Sequence, residues 1–132
     1  MERTYLHWTA EMSVGEATVD EHHRELVGLI NRLLARSTGA DGRDATFSAL
    51  KDLDAYVQEH FADEERHMLA VGYPGHAAHK AEHDEMRATI ATLRTSIRSA
   101  ENVFGATIAI LPRWLERHLT GADREYAAFL RT

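Results

Sequence analysis

The sequence predicts an all-α fold: an up-down-up-down four-helix bundle preceded by an N-terminal arm. Three observations carry that prediction. Apolar residues recur at spacings of three and four through four long segments, no segment sustains the two-residue alternation of a strand, and short clusters of turn residues separate the segments. The 132 residues suffice for one domain, expected to span 1–132, and a chain of this size buries about two-thirds of the surface its unfolded form exposes. With 44% hydrophobic and 27% charged residues the composition is that of a globular chain rather than a disordered one. The absence of Cys removes disulfides and thiolate metal sites from consideration.

Residues 1–17 carry no helical or strand period, yet they contain Trp8, Met12 and Val14, which suits an arm packed on the bundle. Thr18 and Glu21 have the spacing of a capping box, which predicts that the first helix opens there and runs to about Arg36 on a stripe of Leu26, Ile30, Leu33 and Leu34. A turn cluster follows from Ser37 to Gly42. The second helix begins near Asp44 and carries Phe47, Leu50, Leu53, Val57, His60, Phe61, Glu64 and Met68 on its buried stripe. Gly72 to Pro74 breaks it. The third helix starts near Gly75 and continues through His79, His83, Met86, Ile90, Leu93 and Ile97. After Ser99 to Asn102 a fourth carries Val103, Ile108, Leu111, Leu115, His118 and Leu119 and stops at Gly121. Pro112 lies inside it, without an amide donor and crowding the carbonyl of Ile108, so it should kink the helix or mark a second start, and a kink is expected. Asp123 to Leu130 forms a last short helical turn.

The chemistry sits on the apolar stripes. His60 and Glu64, and likewise His79 and His83, are four residues apart, so each pair aims two donor atoms from one helix face. His23 falls on the Leu26 and Ile30 face of the first helix, and His118 falls three residues after Leu115. Asp123 follows His118 by five residues, a rotation of about 140° that on a continuous helix would point it away, and the helix end at Thr120-Gly121 can redirect it inward. Five imidazoles and two carboxylates exceed what one tetrahedral zinc takes and suit two metals bridged by the carboxylates. His22 and His23 point about 100° apart on a helix, so only one faces the interior, and the apolar register selects His23. His67 and His76 read as surface or capping residues, and the acidic runs around Asp63 and Glu82 as solvated faces. Trp8 and Trp114 read as core.

In the order Val19-Asp-Glu-His-His23, then His60 to Met68, then Tyr73-Pro with His79 to His83, then Trp114 to Asp123, these motifs resemble the bacterial hemerythrins, non-haem di-iron oxygen-binding proteins. The resemblance implies that His79, His83 and His118 hold one iron, that His23 and His60 hold the other, and that Glu64, Asp123 and an oxo or hydroxo group bridge the two iron ions. One coordination position is then open for dioxygen. Helical spacing and the resemblance together place Leu26, Phe61, Leu115 and Leu119 around that position. Two features depart from the family pattern: His22 stands where the family commonly has Gln, and Pro112 interrupts the fourth helix.

The function implied is reversible dioxygen binding for storage, delivery or sensing, without catalysis; the alternative is a di-iron oxidase, a peroxidase-like enzyme or one that handles nitric oxide. The paired Glu-x-x-His motifs of ferritin-like oxidases are absent. A net charge of −6 and the lack of a basic stretch argue against nucleic acid. No apolar run approaches a membrane span, and the N-terminus has no signal-peptide pattern, so a cytoplasmic protein is expected.

Overall fold

A computed structural model describes residues 6–38, 42–97 and 103–132. A short 3-10 turn, Ala10–Met12, precedes α1 (Ala17–Thr38), α2 (Gly42–Ala70), α3 (His76–Ser96), α4 (Val103–Ile108), α5 (Leu111–Thr120) and α6 (Ala122–Leu130). Helix α1 packs on α2, α2 on α3, and α3 on α4 and α5, while α5 returns to α1 and closes the bundle. No strand occurs among the described residues. None of the described helices is long and apolar enough to cross a membrane.

The expected stripes meet along the axis. Ile30, Leu33, Leu50, Leu53, Leu93, Leu111, Leu115 and Leu119 have no exposed surface, and burying each such side chain contributes roughly 1.5–3 kcal/mol relative to leaving it in water. The arm belongs to this core. Leu6, Met12 and Val14 are buried, and Asn31 on α1 grips the Leu6 backbone through both its amide oxygen and its amide nitrogen, at 2.9 and 2.8 Å. Asp20 accepts from the Val14 amide at 2.8 Å and from the Ser13 hydroxyl, tying the arm to the first turn of α1.

Two boundaries differ from the sequence reading, and two expected turns fall at the edge of the described residues. Helix α1 opens at Ala17, so Thr18 is already inside it; the Glu16 carboxylate accepts the Val19 amide at 2.8 Å in place of the expected cap. The turns expected at Ser37 to Gly42 and at Ser99 to Asn102 lie partly or wholly outside the described residues. Pro112 marks a second helix start rather than a kink: α4 ends at Ile108, and Pro112 occupies the first turn of α5, where an amide would have no partner within the helix in any case.

The break between α2 and α3 follows a specific capping rule. Gly72 takes a φ of +67°, its amide bonds the Leu69 carbonyl at 3.2 Å, and the Tyr73 amide bonds the Met68 carbonyl at 2.9 Å. These two bonds are the Schellman closure, and the left-handed residue at its centre favours glycine. The chain thereby reverses within a few residues, and α3 runs back beside α2.

Candidate metal centre

Five helices deliver donors to one place. His23 comes from α1, His60 and Glu64 from α2, His79 and His83 from α3, His118 from α5 and Asp123 from α6. All seven residues selected from the sequence converge, and they form two groups that could each hold a metal ion: Glu64, His79, His83, His118 and Asp123, and beside them His23, His60 and Glu64. His22 is exposed, its ring edge-on to that of His60 with centroids 6.1 Å apart, and belongs to neither group, while its neighbour His23 is 1% exposed. Asp123 faces inward because Gly121 separates α5 from α6; a Cβ there would meet the Arg117 carbonyl oxygen at 2.8 Å, so a residue without a side chain is required for this reversal.

The two carboxylates lie between the groups. Glu64 sets Oε1 at 2.7 Å from His79 Nε2 and 3.2 Å from His83 Nε2, and its other oxygen at 3.8 Å from His60 Nε2. Asp123 does the same, with Oδ1 at 3.0 Å from His79 Nε2 and 3.2 Å from His118 Nε2, and Oδ2 at 3.4 Å from His23 Nε2. Each acid thus offers one oxygen to two imidazoles and the other to one.

Nearly every atom aimed at this point lacks a hydrogen-bond partner. Among the described residues, His23 Nδ1 and Nε2, His79 Nδ1 and Nε2, the Nε2 atoms of His83 and His118, Glu64 Oε1 and Asp123 Oδ1 are buried and unpartnered. An orphaned buried polar group costs about 1–3 kcal/mol, so this many at one site is a poor way to build a core. A nitrogen-rich and carboxylate set with converging lone pairs fits a borderline divalent metal such as iron.

Outer groups set the direction of two rings. His83 Nδ1 donates to Glu65 Oε2 at 2.7 Å, and Arg87 holds the same oxygen at 2.9 Å. His118 Nδ1 donates to Glu82 Oε1 at 2.9 Å. Each hydrogen bond puts the ring proton on Nδ1 and leaves the Nε2 lone pair facing inward. Glu65, 13% exposed, therefore does not belong to a solvated face as the acidic run suggested, and Glu82, though 42% exposed, is held by a donor ring; Glu65 is one position past Glu64 and lies against α3, which packs on α2. Phe61 stacks on His83 at 3.9 Å, Trp114 stacks on His118 at 4.6 Å, and Tyr56 stacks on His60 at 5.8 Å.

Charge is shared strongly across the cluster. Burial opposes the charged form of His79, but the Asp123 and Glu64 carboxylates outweigh it and raise its pKa to about 9. Burial likewise opposes charge on His118, and Asp123 with Glu82 lifts it to about 10. Burial works to raise Glu64 and Asp123, yet the neighbouring imidazoles hold both below the ordinary carboxylate range. His60 is lowered, chiefly by burial.

Two surroundings meet at the centre. Leu26, Phe61, Leu115 and Leu119 are all buried in the core. On another side a cavity of about 670 Å³ reaches His23, His60, Glu64 and Asp123, and His67, Tyr126 and Arg131 help to line it. None of the four apolar residues lines that cavity. Tyr126 is buried and donates its hydroxyl to Nδ1 of His67, a contact with no counterpart in the motif reading. Burial, then the charge of Glu64, raises the Tyr126 phenol to about 12.

A family model described as the hemerythrin HHE cation binding domain matches residues 14–130. The chain is 34% identical over 128 residues to a bacteriohemerythrin of Methylococcus capsulatus, covering 93% of this chain and 95% of that protein. It is 31% identical over 120 residues to a bacteriohemerythrin of Stenotrophomonas maltophilia, covering 91% and 78%. A crystal structure of a hemerythrin leucine-to-tyrosine mutant superposes with a TM-score of 0.84 at 28% identity, over 96% of this chain and 97% of that one.

Proposed function

We propose, on the premise that this chain belongs to the hemerythrin family, that its buried donors hold a pair of iron ions and that the protein binds dioxygen reversibly without transforming it. One observation carries the reading: Glu64 and Asp123 each turn one oxygen toward His79 and its neighbours and the other toward His60 or His23. A carboxylate whose two oxygens face separate groups of imidazoles is placed to span two cations rather than to chelate one. His79, His83 and His118 would hold one iron, and His23 and His60 the other, each group sharing both carboxylates. An oxo or hydroxo group would complete the bridge. The second ion then has fewer protein donors than the first, which leaves room for a diatomic ligand.

The pair of iron ions would supply the electrons that dioxygen takes up and returns. The chain supplies direction and dryness. Glu65 and Glu82 hold His83 and His118 in the tautomer that points Nε2 inward, and Arg87 fixes Glu65 in turn. Leu26, Phe61, Leu115 and Leu119 would form the apolar wall of the ligand position, keeping water from a site where a stray proton would turn reversible binding into irreversible oxidation.

The test starts from metal-free protein reconstituted anaerobically with ferrous iron. Two irons per chain, and an absorption band that appears with oxygen and fades under argon, are the expected results. One zinc per chain at full occupancy would refute the reading, as would oxygen consumption that argon does not reverse. Glu64→Ala should disrupt the pair, since it removes an oxygen from both ions at once; a variant that keeps both irons and unchanged oxygen binding would show that Glu64 is no bridge.

A further inference from the structure

Two tyrosines flank the donor cluster, and their hydroxyls meet different partners. The Tyr56 ring stacks on His60, and its hydroxyl donates at 2.8 Å to the His22 carbonyl oxygen. A peptide carbonyl is too weak a base to accept the proton outright. The Tyr126 ring stands edge-on to His79, centroids 6.0 Å apart, and its hydroxyl donates to the His67 imidazole. Imidazole accepts protons readily near neutral pH, and His67 is exposed on the cavity that reaches the centre, so a proton received there can pass to water. On its other side Tyr126 lies 4.9 Å from the ring of Tyr73, which is half-buried at the turn between α2 and α3. An aromatic line thus runs from a donor ring, through a buried phenol with its own base, to the protein surface.

We propose that Tyr126, His67 and Tyr73 form a relay that would supply electrons to the metal ions held by the donor cluster when a peroxide reaches them, giving the protein a peroxide-removing activity besides oxygen binding. The proposal rests on the di-iron reading above. Tyr126 gives one electron toward His79 and its O–H proton to His67 Nδ1; Tyr73 then restores Tyr126 by passing it an electron through the ring contact while His67 returns the proton and the Tyr73 hydroxyl loses its own to water, and a second turn of the relay supplies the second electron. The balance closes with hydrogen peroxide as oxidant: its O–O bond breaks, two phenols lose one electron and one proton each, and two waters form. A one-electron reductant of the thiol or enediol class returns each phenoxyl to the phenol. Removing the phenolic proton along with the electron is what makes oxidation feasible in a buried site, because a phenol cation beside His79 would be far more costly. Tyr56, without a base, lacks this route.

The experiment uses iron-loaded protein oxidised to the ferric pair, mixed with hydrogen peroxide, frozen within seconds and read by electron paramagnetic resonance, with iron content and ferric absorption measured on the same samples. A tyrosyl radical is expected in the parent and in Tyr56→Phe and is lost in Tyr126→Phe, while all three retain two irons and the ferric spectrum. His67→Ala slows radical formation, and added imidazole, reaching the vacated place through the cavity, restores it. Tyr73→Phe traps the radical on Tyr126. An equal signal in Tyr126→Phe, or no radical in a parent holding two irons, overturns the relay. A rate unchanged in His67→Ala overturns the role of the imidazole. Failure of the parent to take up two irons is a separate result, which refutes the metal reading on which the relay depends.

Discussion

His22 and His23 differ by one position and by everything else. His23 is 1% exposed with both ring nitrogens unpartnered, while His22 is exposed. We expect His23→Ala to lose iron from the two-imidazole group and His22→Ala to keep full stoichiometry; metal analysis of both variants reads this directly, and the reverse outcome would shift the register of α1 by one residue. Leu115 poses a question of protection rather than ligation. It has no exposed surface and lies three residues before His118, so Leu115→Ala removes packing worth roughly 2–5 kcal/mol and leaves room that polar neighbours can hydrate. The variant should retain two irons, melt at lower temperature and lose its oxygenated band faster than the parent at equal iron content. Equal decay would remove Leu115 from the wall. The His23 choice was legible in the sequence because burial follows helical register; the Glu65 and Glu82 partnerships were not, because a carboxylate one position from a ligand looks the same whether it faces water or a ring on another helix.

At the scale of elements, two glycines test how backbone geometry serves the site. Gly121 joins α5 to α6 where a Cβ would lie 2.8 Å from the Arg117 carbonyl oxygen, whereas a Cβ at Gly28, exposed within α1, would meet nothing within 4 Å. Gly28→Ala should therefore stabilise the protein by about 0.4–1 kcal/mol through helix propensity and a less free unfolded chain. Gly121→Ala must instead push α6 away from α5, moving Asp123 out of line with His118 and His23. Thermal melts and iron content of the pair should diverge: higher melting with full iron for Gly28→Ala, lower melting with reduced iron for Gly121→Ala. Full iron and an unshifted melt in the second variant would show that the junction tolerates a side chain. Pro112 belongs to the same segment, and its place in the first turn of α5 explains why an apparent helix breaker leaves Leu115 and His118 buried.

At the scale of the molecule, the donors load several helices with electrostatic work that metal would relieve. In the metal-free protein the raised pKa values of His79 and His118 contribute stability that is fully present below their ordinary 6.5 and is lost as pH rises through about 9 and about 10. Glu64 and Asp123, held low, contribute stability that is present above their ordinary 4.5 and 3.8 and is lost as pH falls. The lowered His60 works against the two raised imidazoles and does not cancel them. Metal-free protein should thus melt highest on the acid side of neutrality and weaken toward alkali. Iron needs the imidazoles neutral, so it competes with protons, and its binding to the folded state alone raises stability by mass action. The gap in melting temperature between ferrous-loaded and metal-free protein, measured anaerobically, should widen from just below pH 6.5 to about pH 9; a gap that narrows would mean that the raised imidazoles are not ligands.

What the sequence determined by itself is whatever follows from the local helical period. Spacings of three and four marked the helices and placed six of the seven donors on apolar stripes, leaving Asp123 to be turned inward at the helix end by Gly121, because a helix carries its face assignment along its own length. What the tertiary structure decided concerns relations between rods whose rotation and offset no single segment encodes. Those relations include which oxygen of Glu64 or Asp123 faces which imidazole, that Glu65 and Glu82 reach across to His83 and His118, and that His67 on α2 meets Tyr126 on α6. Each depends on the packing of several helices at once, and a shift of one turn, about 5.4 Å, would replace every such partner while leaving every sequence motif unchanged.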